Sequence, residues 1–190
     1  MGGAQRRHRM RAAGEDRLMA QDYESYAKKY LPRERVRILF IAEAPPCSTD
    51  RYFYFEKVRQ YDGLWIALMK ALYFTEWNKT KTKYHRERKK EWLQKFANSG
   101  YLLIDAVKVP IEGSDRRRVT EISRCSTDLI AEIRGINPEK IVLIKTTVHD
   151  ALFTRLQTAG LPVMNEIPLP FPSSGHQTEF HALMSNLDLS

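Results

Sequence analysis

Three short apolar runs constrain this chain more than any other feature: Ile38-Leu39-Phe40-Ile41, Tyr101-Leu102-Leu103-Ile104 and, after Lys140, Ile141-Val142-Leu143-Ile144. Each is continuous rather than alternating, which is the pattern of a strand covered on both faces. Helical periodicity fills the intervals. Between Tyr61 and Phe74, the residues Leu64, Trp65, Leu68, Met69 and Leu72 form one apolar face. Glu91 to Ser99 continues through Trp92, Leu93 and Phe96, and Gly100 is a natural stop. Thr120 to Arg134 reads as a helix with Thr120 as N-cap and Gly135 as C-cap. Thr146 or Thr147 caps a further helix that ends at Gly160. Glu166 to Leu169 is strand-like, and a last helix spans Gln177 to Leu187. Strands alternating with helices at this spacing predict an α/β fold: a three-layer αβα sandwich around a central, mainly parallel four-stranded sheet.

A chain of 190 residues suits one such domain, expected over 15–190. Residues 1–14 are rich in Arg and Gly and are expected to form a disordered basic arm. A helix is expected from Glu15 to Tyr30, closed by Pro32.

The strand ends carry the chemistry. In open parallel sheets, ligands bind where loops leave the carboxyl ends of the strands. The first run stops abruptly at Ala42-Glu43-Ala44-Pro45-Pro46, and the second at Asp105-Ala106-Val107, so each delivers a carboxylate to that rim. The cluster Tyr52-Phe53-Tyr54-Phe55 offers flat surfaces on which a base could stack, although core packing is the commoner use of such residues.

Lys and Arg number 31 against 23 Asp and Glu, a formal net charge of +8, which favours an anionic partner with nucleic acid first in line. The densest basic run, Asn78 to Lys90, interleaves cations with threonines, Tyr84 and His85. It reads either as a solvated face, to which His85 then belongs, or as a phosphate-contacting one through Lys81 and Lys83. A charged loop from Glu112 to Arg118 adds Arg116 and Arg117 as further candidates for backbone contact. The two cysteines, Cys47 and Cys125, lack metal-site spacing and cannot supply the four ligands of an iron–sulfur cluster. No metal and no cofactor are expected. No run reaches membrane-span length and no secretory h-region is evident, so a cytoplasmic protein with no membrane partner is expected.

Three loops, Ala42-Glu43-Ala44-Pro45-Pro46, Asp105-Ala106-Val107 and Phe171-Pro172-Ser173-Ser174, resemble in order and separation the motifs of the uracil-DNA glycosylase superfamily. That family places G-E-A-P-G or a related motif after its first core strand. An L-L-N-x-V or N-V-V segment follows the next strand, and an H-P-S loop lies near the C-terminus. The resemblance spans roughly 36–187. It implies the family's parallel sheet between helices, a pocket that receives a flipped base, and hydrolysis of an N-glycosidic bond in DNA. By the same resemblance, Glu43 positions water and balances charge on an oxocarbenium-like sugar. Ala42, Ala44 and Pro45 border the base, Tyr52, Phe53 or Tyr54 lie under it, and Asp105 reads its edge. Phe171, Ser173 and Ser174 form the minor-groove loop, with Ser173 pinching a phosphate.

The chain departs from the family at informative places. Ala42 stands for the usual Gly. Asp105 stands for an Asn, exchanging an amide that donates and accepts for a group that, when ionised, only accepts. Phe171 stands for the His of H-P-S, and His176 is the nearest substitute. Gly175 falls where some members carry an apolar wedge. The alternatives are a catalytically inactive nucleic-acid or nucleotide binding module of the same fold, and a small-molecule hydrolase. No G-x-S-x-G elbow supports the second.

Overall fold

The computed structural model describes residues 23–47, 51–58, 61–172 and 175–189. The expected basic arm, and the expected helix before residue 23, lie outside these. Helix α1 covers 23–28 of the described residues. In chain order follow β1 (Ile38–Ala42), α2 (Gly63–Leu72), α3 (Phe74–Trp77), α4 (Thr82–Glu87), α5 (Lys89–Asn98) and β2 (Tyr101–Asp105). Then come α6 (Asp115–Arg124), α7 (Ser126–Ile136), β3 (Lys140–Leu143), α8 (Thr146–Thr158) and α9 (Gln177–Ser185).

The strands form one parallel sheet in the order β2-β1-β3. β1 is paired on both sides, and all five of its residues are buried. Its alternation divides the core in two. Ile38, Phe40 and Ala42 join Trp65 of α2, Phe96 of α5 and Phe180 of α9. Leu39 and Ile41 join Ile122 of α6, Leu129 of α7 and Leu152 of α8. Helices therefore cover both faces, as continuous apolar strands require.

The expected fourth strand is a correction: among the described residues the ladder has three. Beyond β3 the chain meets the sheet only at isolated parallel bridges, Ile141 with Val163 and Ile144 with Leu169. Pro162, Pro168 and Pro170 cannot donate to a ladder. The Asn165 side chain replaces the missing strand opposite Leu143: its Oδ1 accepts from the Leu143 N–H at 2.9 Å and its Nδ2 donates to the Leu143 carbonyl at 3.0 Å. The other edge is closed in the same way. The Tyr54 hydroxyl donates to the Leu103 carbonyl at 2.9 Å and accepts from the Leu103 N–H at 2.8 Å.

Further expectations are revised. Asp115 to Ile136 makes two helices broken at Cys125, with Ser114 capping the first through the Arg117 N–H; Thr120 lies inside α6 and bonds back to the Arg116 carbonyl. The expected charged loop up to Arg118 is thus helical from Asp115. Asn137, at φ 52, ends α7 in place of Gly135. The basic run is not a uniformly solvated face. His85 is buried, stacks on Trp77 with ring centroids 4.2 Å apart, and places Nε2 2.8 Å from the Trp77 carbonyl. Lys89 is fully buried. Among the described residues no helix is long and apolar enough to cross a membrane.

Candidate functional site

A cavity of about 590 Å³ opens at the carboxyl rim of the sheet, within the usual range for small-ligand sites. The loop after β1 supplies Ala42, Glu43, Ala44 and Pro45, the end of β2 supplies Asp105, and the late loop supplies Phe171. Tyr52 and Phe53 line it too. The ladder accounts for part of this convergence. Ala42 pairs with Asp105, and the Val107 N–H donates to the Glu43 carbonyl at 3.1 Å.

Glu43 is held by side chains from two other elements and the turn before one of them. Its carboxylate accepts from Lys145 Nζ at 2.6 Å, from Thr147 Oγ1 at 2.5 Å and from Arg118 Nη1. Burial alone would raise its pKa. The bonds from Lys145, Thr147 and Arg118 outweigh that and hold it below the usual range. Glu43 is therefore an ionised anchor with three donors already in place. Lys145 reaches it from the turn between β3 and α8, with its backbone at φ 86. Neither Lys145 nor either threonine caps α8 with its side chain, contrary to the expected Thr146 or Thr147 cap.

Asp105 has the opposite character. Burial is the largest influence on its carboxyl; Lys108 and a hydrogen bond from Tyr52 offset it only in part, and the pKa rises to about 7. Lys108 is itself paired with Glu132 at 2.8 Å, which divides its pull. Asp105 and Tyr52 also border a second, more apolar cavity of about 640 Å³ beside the β2 edge.

Asp62 caps α2 by accepting from the Trp65 N–H at 3.3 Å. Its other oxygen pairs with buried Lys89 at 2.5 Å, and Lys89 also donates to the Tyr52 carbonyl at 3.1 Å. This buried pair ties the aromatic segment to α2 and α5 and so fixes the wall that carries Tyr52. Burial pushes the Lys89 pKa down.

The other sequence-predicted residues lie elsewhere. Tyr54 is fully buried behind the cavity, where its hydroxyl closes the sheet edge. His176 is exposed, does not line the cavity, and has Nδ1 3.4 Å from Glu179. Lys83 is exposed on α4, and Arg116 and Arg117 are exposed on α6. Lys81 lines a neighbouring groove. Ser173 and Ser174 lie outside the described residues. Sequence reasoning missed Lys145 and Thr147, although they follow the third apolar run just as Glu43 and Asp105 follow the first two. It also missed Arg51, Arg118 and Asp62 in the wall. Arg51, Arg118 and Lys145 line it together with Glu43 and Asp105; Arg118 and Lys145 both pair with Glu43, and Asp62 pairs with Lys89, which leaves one more cation than carboxylate. Among the described residues no group of three His, Cys, Asp or Glu side chains is placed to hold a metal ion. Searches of protein-family models, curated proteins and solved structures return no match.

Proposed function

We propose that this cavity receives a single nucleobase of DNA and that the chain is a uracil-DNA glycosylase-like hydrolase of the N-glycosidic bond. The observation that carries the reading is the pairing of two unlike carboxylates in one cavity: Glu43 locked ionised, Asp105 poised to exchange a proton near neutrality. In this reading Asp105 takes the proton of a water that attacks the sugar C1′. The new C–O bond forms as the C–N bond breaks, and the base leaves with that electron pair. The cationic side of the wall, Lys145 and Arg118, stabilises the departing base anion, the task the resemblance assigns to the His absent at Phe171. Glu43 holds those two cations in place and is a positioning residue. Tyr52 and Phe53 supply apolar wall.

Oligonucleotides carrying uracil, hypoxanthine or xanthine, single- and double-stranded, test this by formation of abasic sites. Activity is expected to rise with pH to a plateau above about 7, because the base must be deprotonated to accept. Asp105→Asn is expected to lower the rate by about a hundredfold or more and to remove that limb. Absence of abasic product from every substrate would refute the hydrolase. The second reading, a nucleotide-binding module without chemistry, is favoured by the full engagement of the Glu43 carboxylate. It predicts salt-sensitive binding with no product.

A further inference from the structure

Six large hydrophobic side chains stand exposed among the described residues, and three of them, Tyr61, Phe74 and Phe171, border two neighbouring cavities that share Tyr61. Tyr61 and Phe171 line the cavity just described. Tyr61 also lines a second groove of about 690 Å³, which runs on past Phe74, Lys70 and Lys81. Tyr61 is 53% exposed and Phe74 is 61% exposed. The Tyr61 hydroxyl accepts from Gln177 Nε2 at 3.3 Å, which ties it to α9. The start of α2 packs tightly on the Phe171 loop: a Cβ on Gly63 would stand 3.2 Å from the Pro172 carbonyl oxygen.

An apolar patch of this kind needs an occupant, and its chemistry is specific. Exposed aromatic rings and the ammonium groups of Lys70 and Lys81 line a groove that adjoins the cavity at Tyr61. Stacking faces beside cations are how proteins hold unpaired nucleotides, with the rings on the bases and the cations on the phosphates. A peptide or lipid would need a more continuous apolar floor than Lys70, Lys81 and the polar Gln177 leave.

We propose that the groove is a second nucleotide subsite for single-stranded nucleic acid, holding the residue next to the one in the cavity, with its base against Phe74 and its phosphate on Lys81 and Lys70. The inference rests on the cavity being a nucleobase site. It adds a strand preference and a minimum substrate longer than one nucleotide.

The test compares two probes: a fluorescent single-stranded pentanucleotide with a central deoxyuridine, and deoxyuridine monophosphate, which fills the cavity alone. Phe74→Ala and Lys81→Glu alter exposed side chains and leave the core intact. Each is expected to weaken pentanucleotide binding by about tenfold while leaving the mononucleotide unchanged. Lys90→Glu, exposed on α5 and outside the groove, is the control for net charge. Pentanucleotide affinity unchanged in both variants, or lowered equally by Lys90→Glu, overturns the subsite. The two readings fail differently. If the mononucleotide binds and the variants match wild type on the pentanucleotide, the groove is wrong and the cavity stands. If no abasic product forms yet both variants weaken the pentanucleotide and spare the mononucleotide, the hydrolase is wrong and the groove stands.

Discussion

Asp105→Asn should make the protein more stable at alkaline pH even as it removes the proposed chemistry. The Asp105 pKa rises from its ordinary 3.8 to about 7 in the folded state. A carboxyl whose folded pKa is raised keeps its proton in the native chain over a range where the unfolded chain has lost it. Stability therefore falls as pH rises from about 4 to about 7 and levels off above. Three units at 1.36 kcal/mol each set a full span of about 4 kcal/mol. Between about pH 5 and about pH 8 the loss is about 2 to 3 kcal/mol, because part of the range lies below the lower limit.

The groups around Asp105 set the sign. Tyr52 donates to the carboxyl, Lys108 favours its ionised form, and Glu43 and Glu132 oppose it. Asparagine keeps an acceptor for Tyr52 and carries no charge. The assay is urea unfolding of wild type and variant across that pH range, read as the difference in free energy so that other titrating groups cancel. The variant should gain on wild type steadily as pH rises. A difference that stays flat within about 0.5 kcal/mol would show that Asp105 is ionised in an ordinary way, and the proton-transfer role proposed for it would lose its basis.

Tyr54→Phe should cost about 2 to 4 kcal/mol, because both backbone groups of Leu103 lose their partner in a buried edge. The urea midpoint should fall with an unchanged slope, and a loss below about 1 kcal/mol would mean that water closes that edge as well as the hydroxyl does. Lys89→Met should cost about 3 to 5 kcal/mol by leaving Asp62 buried and unpaired, and adding Asp62→Asn should recover part of that. Simple additivity of the two substitutions would deny the coupling.

The sheet is legible in the sequence because burial on both faces leaves a composition that little else produces. Ile38 to Ile41 and Ile141 to Ile144 each fall where an apolar run predicts. The fourth strand misleads for a physical reason. Glu166 to Leu169 has strand-like residues, but Pro168 interrupts it and Pro170 follows it, and Asn165 supplies through its amide the bonds a ladder would have made. Such a substitution leaves no periodic trace. His85 and Lys89 mislead likewise, since a polar residue inside a charged run gives no sign that a tryptophan eight residues back, or an aspartate 27 residues back, will cover it. At the rim, Glu43 and Asp105 are legible by position, while their contrast in character is not. It depends on Arg118 and Lys145, distant in sequence, reaching one acid and leaving the other in apolar surroundings.

The distribution of unfavourable features argues for a ligand at that rim. Away from it the edges are satisfied with some care: Tyr54 and Asn165 each close a strand, and Asn137 adopts the left-handed turn a helix end favours. At the rim the chain accepts several costs together. Lys145 holds φ 86, a strain of about 1 to 3 kcal/mol for a residue with a side chain. Asp105 is kept where its charge is opposed, and Asp62 and Lys89 are paired out of water. A fold under selection for stability alone would relax these with few substitutions: glycine at 145, asparagine at 105, and an apolar pair at 62 and 89. Their coincidence around one cavity is the pattern of a site whose geometry is set by what it binds rather than by what holds it together.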